Sequence, residues 1–274
     1  FAHLPLPEGV IDLIDVPGHE DFIRAMIAGA TGMSATVLAV DAAEGIRPQT
    51  REHLAIASLV GVRTGVVAVT KCDRVDEATQ ARVGDAALAL VQEAGWSDAP
   101  LARTSATECA GITGLRDALA TLLRRPRPAT EEGPPQLPVD RVFSVSGRGT
   151  VVTGTLRGGC IAAGDASEIA PSGRRAVVRE LQVHGARVEV AHAGQRVGVN
   201  LRGLPADALQ RGAVLTVPGS ARAGCLLDCE LRTLPDATLV HGATIRLHVG
   251  TTQCIARLRV LDGPVAAAGT TAYA

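Results

Sequence analysis

A change of hydrophobic period across Arg125–Pro138 constrains this chain more than any other feature. Before it, apolar runs that read as strands alternate with stretches of helical spacing. Val10–Val16 (VIDLIDV) is strand-like, and Glu20–Gly32 puts Phe22, Ile23, Met26 and Ile27 on one helical face. Ala35–Ala42 (ATVLAVDA) is continuously apolar, as in a parallel sheet covered on both sides. Arg47–Gly61 opens with Pro and ends with Gly, as helices do. Thr64–Lys71 then reads as a strand, 77–95 as a helix, 101–106 as a strand and 111–125 as a helix. Repeated βα units imply an open, doubly wound, mostly parallel sheet. After the Pro- and charge-rich stretch, short alternating runs are broken by Gly turns, which spells an antiparallel β-barrel. The expected organisation is an α/β domain over 1–126, a linker over 127–136, a β-barrel over 137–217 and a partial second barrel over 222–274.

A chain of 274 residues accommodates two or three domains. Aromatic residues make up only 2%, so the cores must be built from Val, Leu, Ile and Ala. No apolar run approaches the roughly 18 residues needed to span a bilayer, so no membrane association is expected. The six cysteines form no CxxC pair, and Cys225 and Cys229 in CLLDCEL read as small core residues on one face of a strand. A reducing, cytoplasmic setting fits this pattern and is expected. The formal charge of −1 is uneven: residues 1–135 hold 12 basic and 18 acidic side chains, a net of −6, and residues 136–274 hold 15 and 10, a net of +5. A basic second half suits a polyanionic partner as well as ordinary solvated surface.

Of the 27 basic residues only Lys71 is a lysine. It follows a strand, and in open parallel sheets ligands bind beyond the carboxyl ends of strands. Three polar loops occupy such positions in order: Asp15-Val16-Pro17-Gly18-His19, Thr70-Lys71-Cys72-Asp73, and Ser105-Ala106-Thr107. DxxG alone is weak, but all three at strand ends, after the first, third and fourth strands in that order, form a strong signal for a GTPase.

The run DVPGHEDF resembles the translational GTPases, which carry DxPGH where most small GTPases carry DxxGQ. The likeness extends through FAHLPLPEG, GVVAVTKCDRVD, LPVDRVFSVSGRGTVVTGTL and LHVGTTQCIARLRVLDG, and is to the selenocysteine-specific elongation factors within that superfamily. It implies that Asp15 reaches Mg²⁺ through water and that Pro17 and Gly18 bring backbone toward a γ-phosphate. His19 would orient the attacking water when the ribosome holds it there. Thr70, Lys71 and Asp73 would form the guanine loop, with Asp73 accepting from guanine N1–H and N2–H₂, while Ser105 and Ala106 would contact guanine O6. Thr70 departs from the commoner Asn and loses that residue's loop-tethering amide. The barrel would hold the aminoacyl end of a charged tRNA, with Asp140, Arg141 and Arg202 lining a cationic pocket suited to an ionised selenol. Surface salt bridging is the alternative role of the two arginines.

The resemblance therefore implies a factor that uses GTP and GDP with Mg²⁺, delivers selenocysteinyl-tRNA to the ribosome, and reads a messenger RNA hairpin through domains not in this sequence. The G-x-x-x-x-G-K-[ST] phosphate loop is not here either, since it needs a lysine and the single one is used at 71. With Phe1 in place of Met, the expectation is a fragment whose parent is the GTPase and which is inactive alone. The alternatives are a translational GTPase carrying another aminoacyl-tRNA, or a non-hydrolysing module that docks on ribosome or RNA.

Overall fold

The structure is a computed structural model of the chain and describes residues 2–15, 33–124, 132–145, 149–234 and 237–274. The chain divides into two compact units, Phe1–Ala129 and Thr130–Ala274.

In the first unit, β1 (Ala2–Leu6) and β2 (Gly9–Leu13) form an antiparallel hairpin closed by the Pro7–Glu8 turn. Sequence pattern alone did not give this pairing, because Pro5 and Pro7 interrupt the strand signal before β2. Pro5 is tolerated because β1 is paired on one side only among the described residues. The hairpin buries Leu4, Leu6 and Ile11 against Val66, Leu115, Ala118 and Leu119.

Next come β3 (Thr36–Asp41), α1 (Pro48–Leu59), β4 (Gly65–Thr70), α2 (Glu77–Glu93), β5 (Leu101–Arg103) and α3 (Ile112–Arg124). The three strands form a parallel sheet in the order β3-β4-β5, so their carboxyl ends share one edge. Central β4 explains its continuous apolar run: Val66, Val67 and Val69 are fully buried, each contributing roughly 1.5–3 kcal/mol of burial. Leu38, Val40, Leu54, Val83, Ala87, Val91 and Trp96 complete that core. Helix α2 begins where the Asp76 carboxylate accepts the Thr79 N–H at 2.8 Å, a side-chain cap that the sequence places just before the helical run. The expected helix at 20–32 lies outside the described residues.

The second unit opens with β6 (Gln136–Val145), β7 (Gly149–Thr155), β8 (Cys160–Ala162), β9 (Ala166–Ala170), β10 (Arg174–Val183), β11 (Ala186–Val188), β12 (Val190–His192), β13 (Arg196–Arg202) and β14 (Val214–Thr216). Six of them close a ring in the order β10-β13-β7-β6-β14-β9, with β9 pairing back onto β10, every pair antiparallel. Alternation sends Val139, Val152, Ile169, Leu181, Val197, Val199, Leu201 and Leu215 into a core without aromatic residues. A bulge between Val139 and Arg141 makes Asp140 an extra residue against β7 and re-aims its side chain.

Beyond the barrel, β15 (Glu230–Arg232), β16 (Leu239–Val240), β17 (Thr244–Val249), β18 (Thr252–Arg257), β19 (Val265–Ala266) and β20 (Thr271–Tyr273) make three two-stranded ribbons. They enclose a small core of Leu258, Val260, Ala266 and Ala272. One expectation fails here: residues 221–229 form no strand, and Cys225 and Cys229 are exposed rather than core. Their alternating pattern has no covering layer among the described residues, and Leu226 stands 77% exposed beside them. No described helix is long and apolar enough to cross a membrane.

Candidate functional site

The carboxyl edge of the parallel sheet gathers two of the three polar loops. The ladder sets Asp41, the last residue of β3, opposite Thr70, the last of β4. Beyond β5, the Thr104 N–H and hydroxyl both reach the Val69 carbonyl, at 2.8 and 3.2 Å, and the Cys72 N–H donates back to the Thr104 carbonyl at 3.1 Å. These bonds bind the loop after β4 to the loop after β5 over the sheet's end.

On this frame Ser105, buried, donates its hydroxyl to Asp73 Oδ1 at 2.5 Å and accepts the Glu108 N–H at 3.2 Å. Ser105 and Ala110 exchange two backbone hydrogen bonds of 3.0 Å, folding residues 105–110 into a tight loop with Ala106 exposed. Gly111 closes that loop: its φ is 72°, and a Cβ there would lie 1.8 Å from the Arg103 carbonyl oxygen. Asp73 is exposed, and its other oxygen has no hydrogen-bond partner among the described residues. A fixed carboxylate with free acceptor capacity is what two adjacent N–H donors on a planar base require.

Lys71 holds a left-handed backbone conformation, φ 56° and ψ 37°. Its ammonium meets Asp41 Oδ2 at 2.7 Å, while Asp41 Oδ1 accepts the Ala43 and Glu44 N–H groups at 2.8 and 3.3 Å. The Lys71 hydrogen bond first, and the two backbone N–H bonds after it, hold the Asp41 carboxyl below the usual carboxylate range. From α2, Gln80 Nε2 donates to the Cys72 carbonyl at 2.9 Å and the Val75 carbonyl at 3.4 Å. Thr70 Oγ1 reaches the Val40 carbonyl at 3.4 Å. Sequence reading missed Asp41 and Gln80. An acid closing the strand beside the one before a lone lysine was the available signal for Asp41, and an amide one turn into α2 was the signal for Gln80.

Thr70, Lys71, Asp73, Ser105 and Ala106 are thus brought together. Asp15 is exposed just past β2, and no hydrogen bond or ion pair among the described residues joins it to them. Pro17, Gly18 and His19 lie outside the described residues.

In the barrel, the bulged Asp140 accepts both Arg196 guanidinium nitrogens, Nη1 at 2.5 Å and Nη2 at 3.1 Å, and the Thr153 hydroxyl at 2.6 Å. Arg141 is exposed next to it. Arg202 lies six residues further along β13, about 20 Å away at strand rise. The structure therefore brings Arg196, which the sequence did not single out, to Asp140, and leaves Arg202 apart.

The family model for the elongation factor Tu GTP-binding domain matches residues 3–125, and that for elongation factor Tu domain 2 matches residues 149–216. The selenocysteine-specific elongation factor of Desulfomicrobium baculatum is 42% identical over 99% of this chain and 43% of its own length. That of Escherichia coli K12 is 34% identical over 97% of this chain and 43% of its own. A crystal structure of a bacterial selenocysteine-specific elongation factor superposes with a TM-score of 0.88 at 31% identity, over 97% of this chain and 45% of that one. The chain belongs to the elongation factor Tu-like translational GTPase family: a GTP-binding-type α/β domain followed by a six-stranded domain 2 barrel. Within that family its homologues include these selenocysteine-specific elongation factors, and it spans less than half the length of each of the three.

Proposed function

We propose that this chain provides the guanine-nucleotide and aminoacyl-tRNA binding parts of a GTP-dependent elongation factor that delivers selenocysteinyl-tRNA to the ribosome, GTP hydrolysis being the release switch. The observation that carries the reading is the Asp73–Ser105 hydrogen bond at the carboxyl edge of the sheet, with Lys71, in the same loop as Asp73, held by Asp41. Asp73 accepts guanine N1–H and N2–H₂. Adenine offers no such donor pair and would leave the carboxylate unpaired, so it is rejected strongly. Lys71 lays its stem along the base, and Ala106 offers exposed backbone at the base edge.

Asp15, an exposed oxygen donor, fits a hard dication approached through water, and Mg²⁺ held there would neutralise phosphate charge. His19 orients the attacking water, a positioning role of the kind phosphoryl transfer demands. Asp140, Arg141 and, from the geometry, Arg196 line the aminoacyl pocket, whose cationic character favours an ionised selenol over the serine hydroxyl. Arg202 stays in the proposal as a flanking cation. The domains are 1–126, 137–217 and 222–274 with the linker 127–136. Messenger RNA recognition belongs to other parts of the full-length protein, which works in the cytoplasm where translation occurs.

The test uses the full-length protein. It should protect selenocysteinyl-tRNA, and not seryl-tRNA, from hydrolysis in the presence of GTP. His19→Ala should keep GTP binding and abolish ribosome-stimulated turnover. Equal protection of both tRNAs would point to a general carrier, and turnover unchanged by His19→Ala would remove that residue from catalysis.

A further inference from the structure

We propose that Asp41 is a positioning residue for guanine recognition, pinning the Lys71 ammonium so that the lysine stem forms a fixed wall for the purine; this rests on the nucleotide reading above. The parallel register sets Asp41 opposite Thr70, so its carboxylate leaves β3 beside the first residue of the Lys71 loop. The two oxygens divide the work. Oδ1 takes the Ala43 and Glu44 N–H groups and is thereby oriented, and Oδ2 takes the Lys71 ammonium at 2.7 Å.

The left-handed backbone at Lys71 turns its side chain toward β3, a conformation rarely adopted by a residue with a Cβ and maintained here by bonds on both sides of it. With its head held, the stem loses rotamer freedom before any ligand arrives, so a base that packs on it has less ordering to oppose its binding. Lys71 is 51% exposed, so its methylenes remain open while the charge is engaged. In this chain Thr70 replaces the amide that would tether the loop. Its hydroxyl supplies only a 3.4 Å contact to Val40, leaving Asp41 on one side and Gln80 on the other as the shorter restraints.

Because Lys71 is the only lysine in the sequence, the 274-residue chain grown on ε-¹³C-lysine gives one side-chain signal. In wild type that signal should sit away from the free-lysine position. Asp41→Asn keeps an oxygen for the Ala43 and Glu44 amides but removes the charge. It should return the signal to the free-lysine position and, in the full-length protein, weaken GDP binding about tenfold, with the thermal midpoint nearly unchanged. Asp41→Glu, which keeps the charge, should restore part of both. A lysine signal unmoved by Asp41→Asn, or equal GDP affinity in wild type and Asp41→Asn, overturns the role of Asp41 alone. Full-length wild type that fails to bind GDP overturns the nucleotide reading and this inference with it.

Discussion

Asp73 and Ser105 stand 32 residues apart in the chain and are joined by a 2.5 Å hydrogen bond across the end of a parallel sheet. A surface aspartate is normally free to rotate. This one is fixed from below by a buried hydroxyl, itself fixed by the loop that Gly111 closes.

Ser105→Ala removes the donor and leaves Asp73 free to turn. Hydrogen bonds to charged groups are worth about 1.5–3 kcal/mol. Guanine-nucleotide affinity of the full-length protein should fall about tenfold or more, with discrimination against adenine nucleotides reduced in parallel. Equilibrium titration with GDP and ADP reads both.

Gly111→Ala puts a Cβ 1.8 Å from the Arg103 carbonyl oxygen at a φ of 72°. The loop of residues 105–110 must open to relieve it. Thermal or denaturant unfolding should show a loss of about 3 kcal/mol, and a substitution that leaves the midpoint unmoved would contradict the close approach.

The Asp41 carboxyl is held below its usual range, chiefly by the Lys71 hydrogen bond. Its folded value therefore lies below the unfolded value of about 3.9. The associated stabilisation is complete above that unfolded value and disappears as pH falls through the folded one. Wild type should unfold later than Asp41→Asn by a small margin at neutral pH, and the two midpoints should converge as the solution is acidified. A margin that widens in acid would reverse the assigned sign.

Arg196→Ala strands the half-buried Asp140 carboxylate with only Thr153 as a described side-chain donor. The expected cost is about 2 kcal/mol of stability, and Arg196→Lys should recover only part of it, because an ammonium cannot reproduce the two-pronged guanidinium contact. Arg202→Ala, on an exposed side chain, should change stability by less than about 0.5 kcal/mol. Chemical denaturation of the three variants separates the two arginines.

What the sequence revealed and what it hid divide along physical lines. Strand β4 was readable because burial on both faces demands an unbroken apolar run, whereas β3 buries only alternate residues, Leu38 and Val40, among the described residues. Asp76 announced the start of α2 by capping it. The meeting of the loops after β4 and β5 was readable because both lie at the carboxyl ends of strands in one parallel sheet. Asp41 and Arg196 were not, since their roles exist only through partners 30 and 56 residues distant, set by strand register and by a bulge. The β1–β2 hairpin was hidden by Pro5 and Pro7, and 221–229 misled because alternation records a preference for cover, not its presence.

The ring in which β9 returns to β10 has a consequence for how the second unit comes apart. A closed circle offers no docking edge to a strand from another molecule, and no member can leave without stripping both neighbours. Its amides should therefore exchange with solvent as one late, concerted set, after the two-stranded ribbons of 230–273 have already opened.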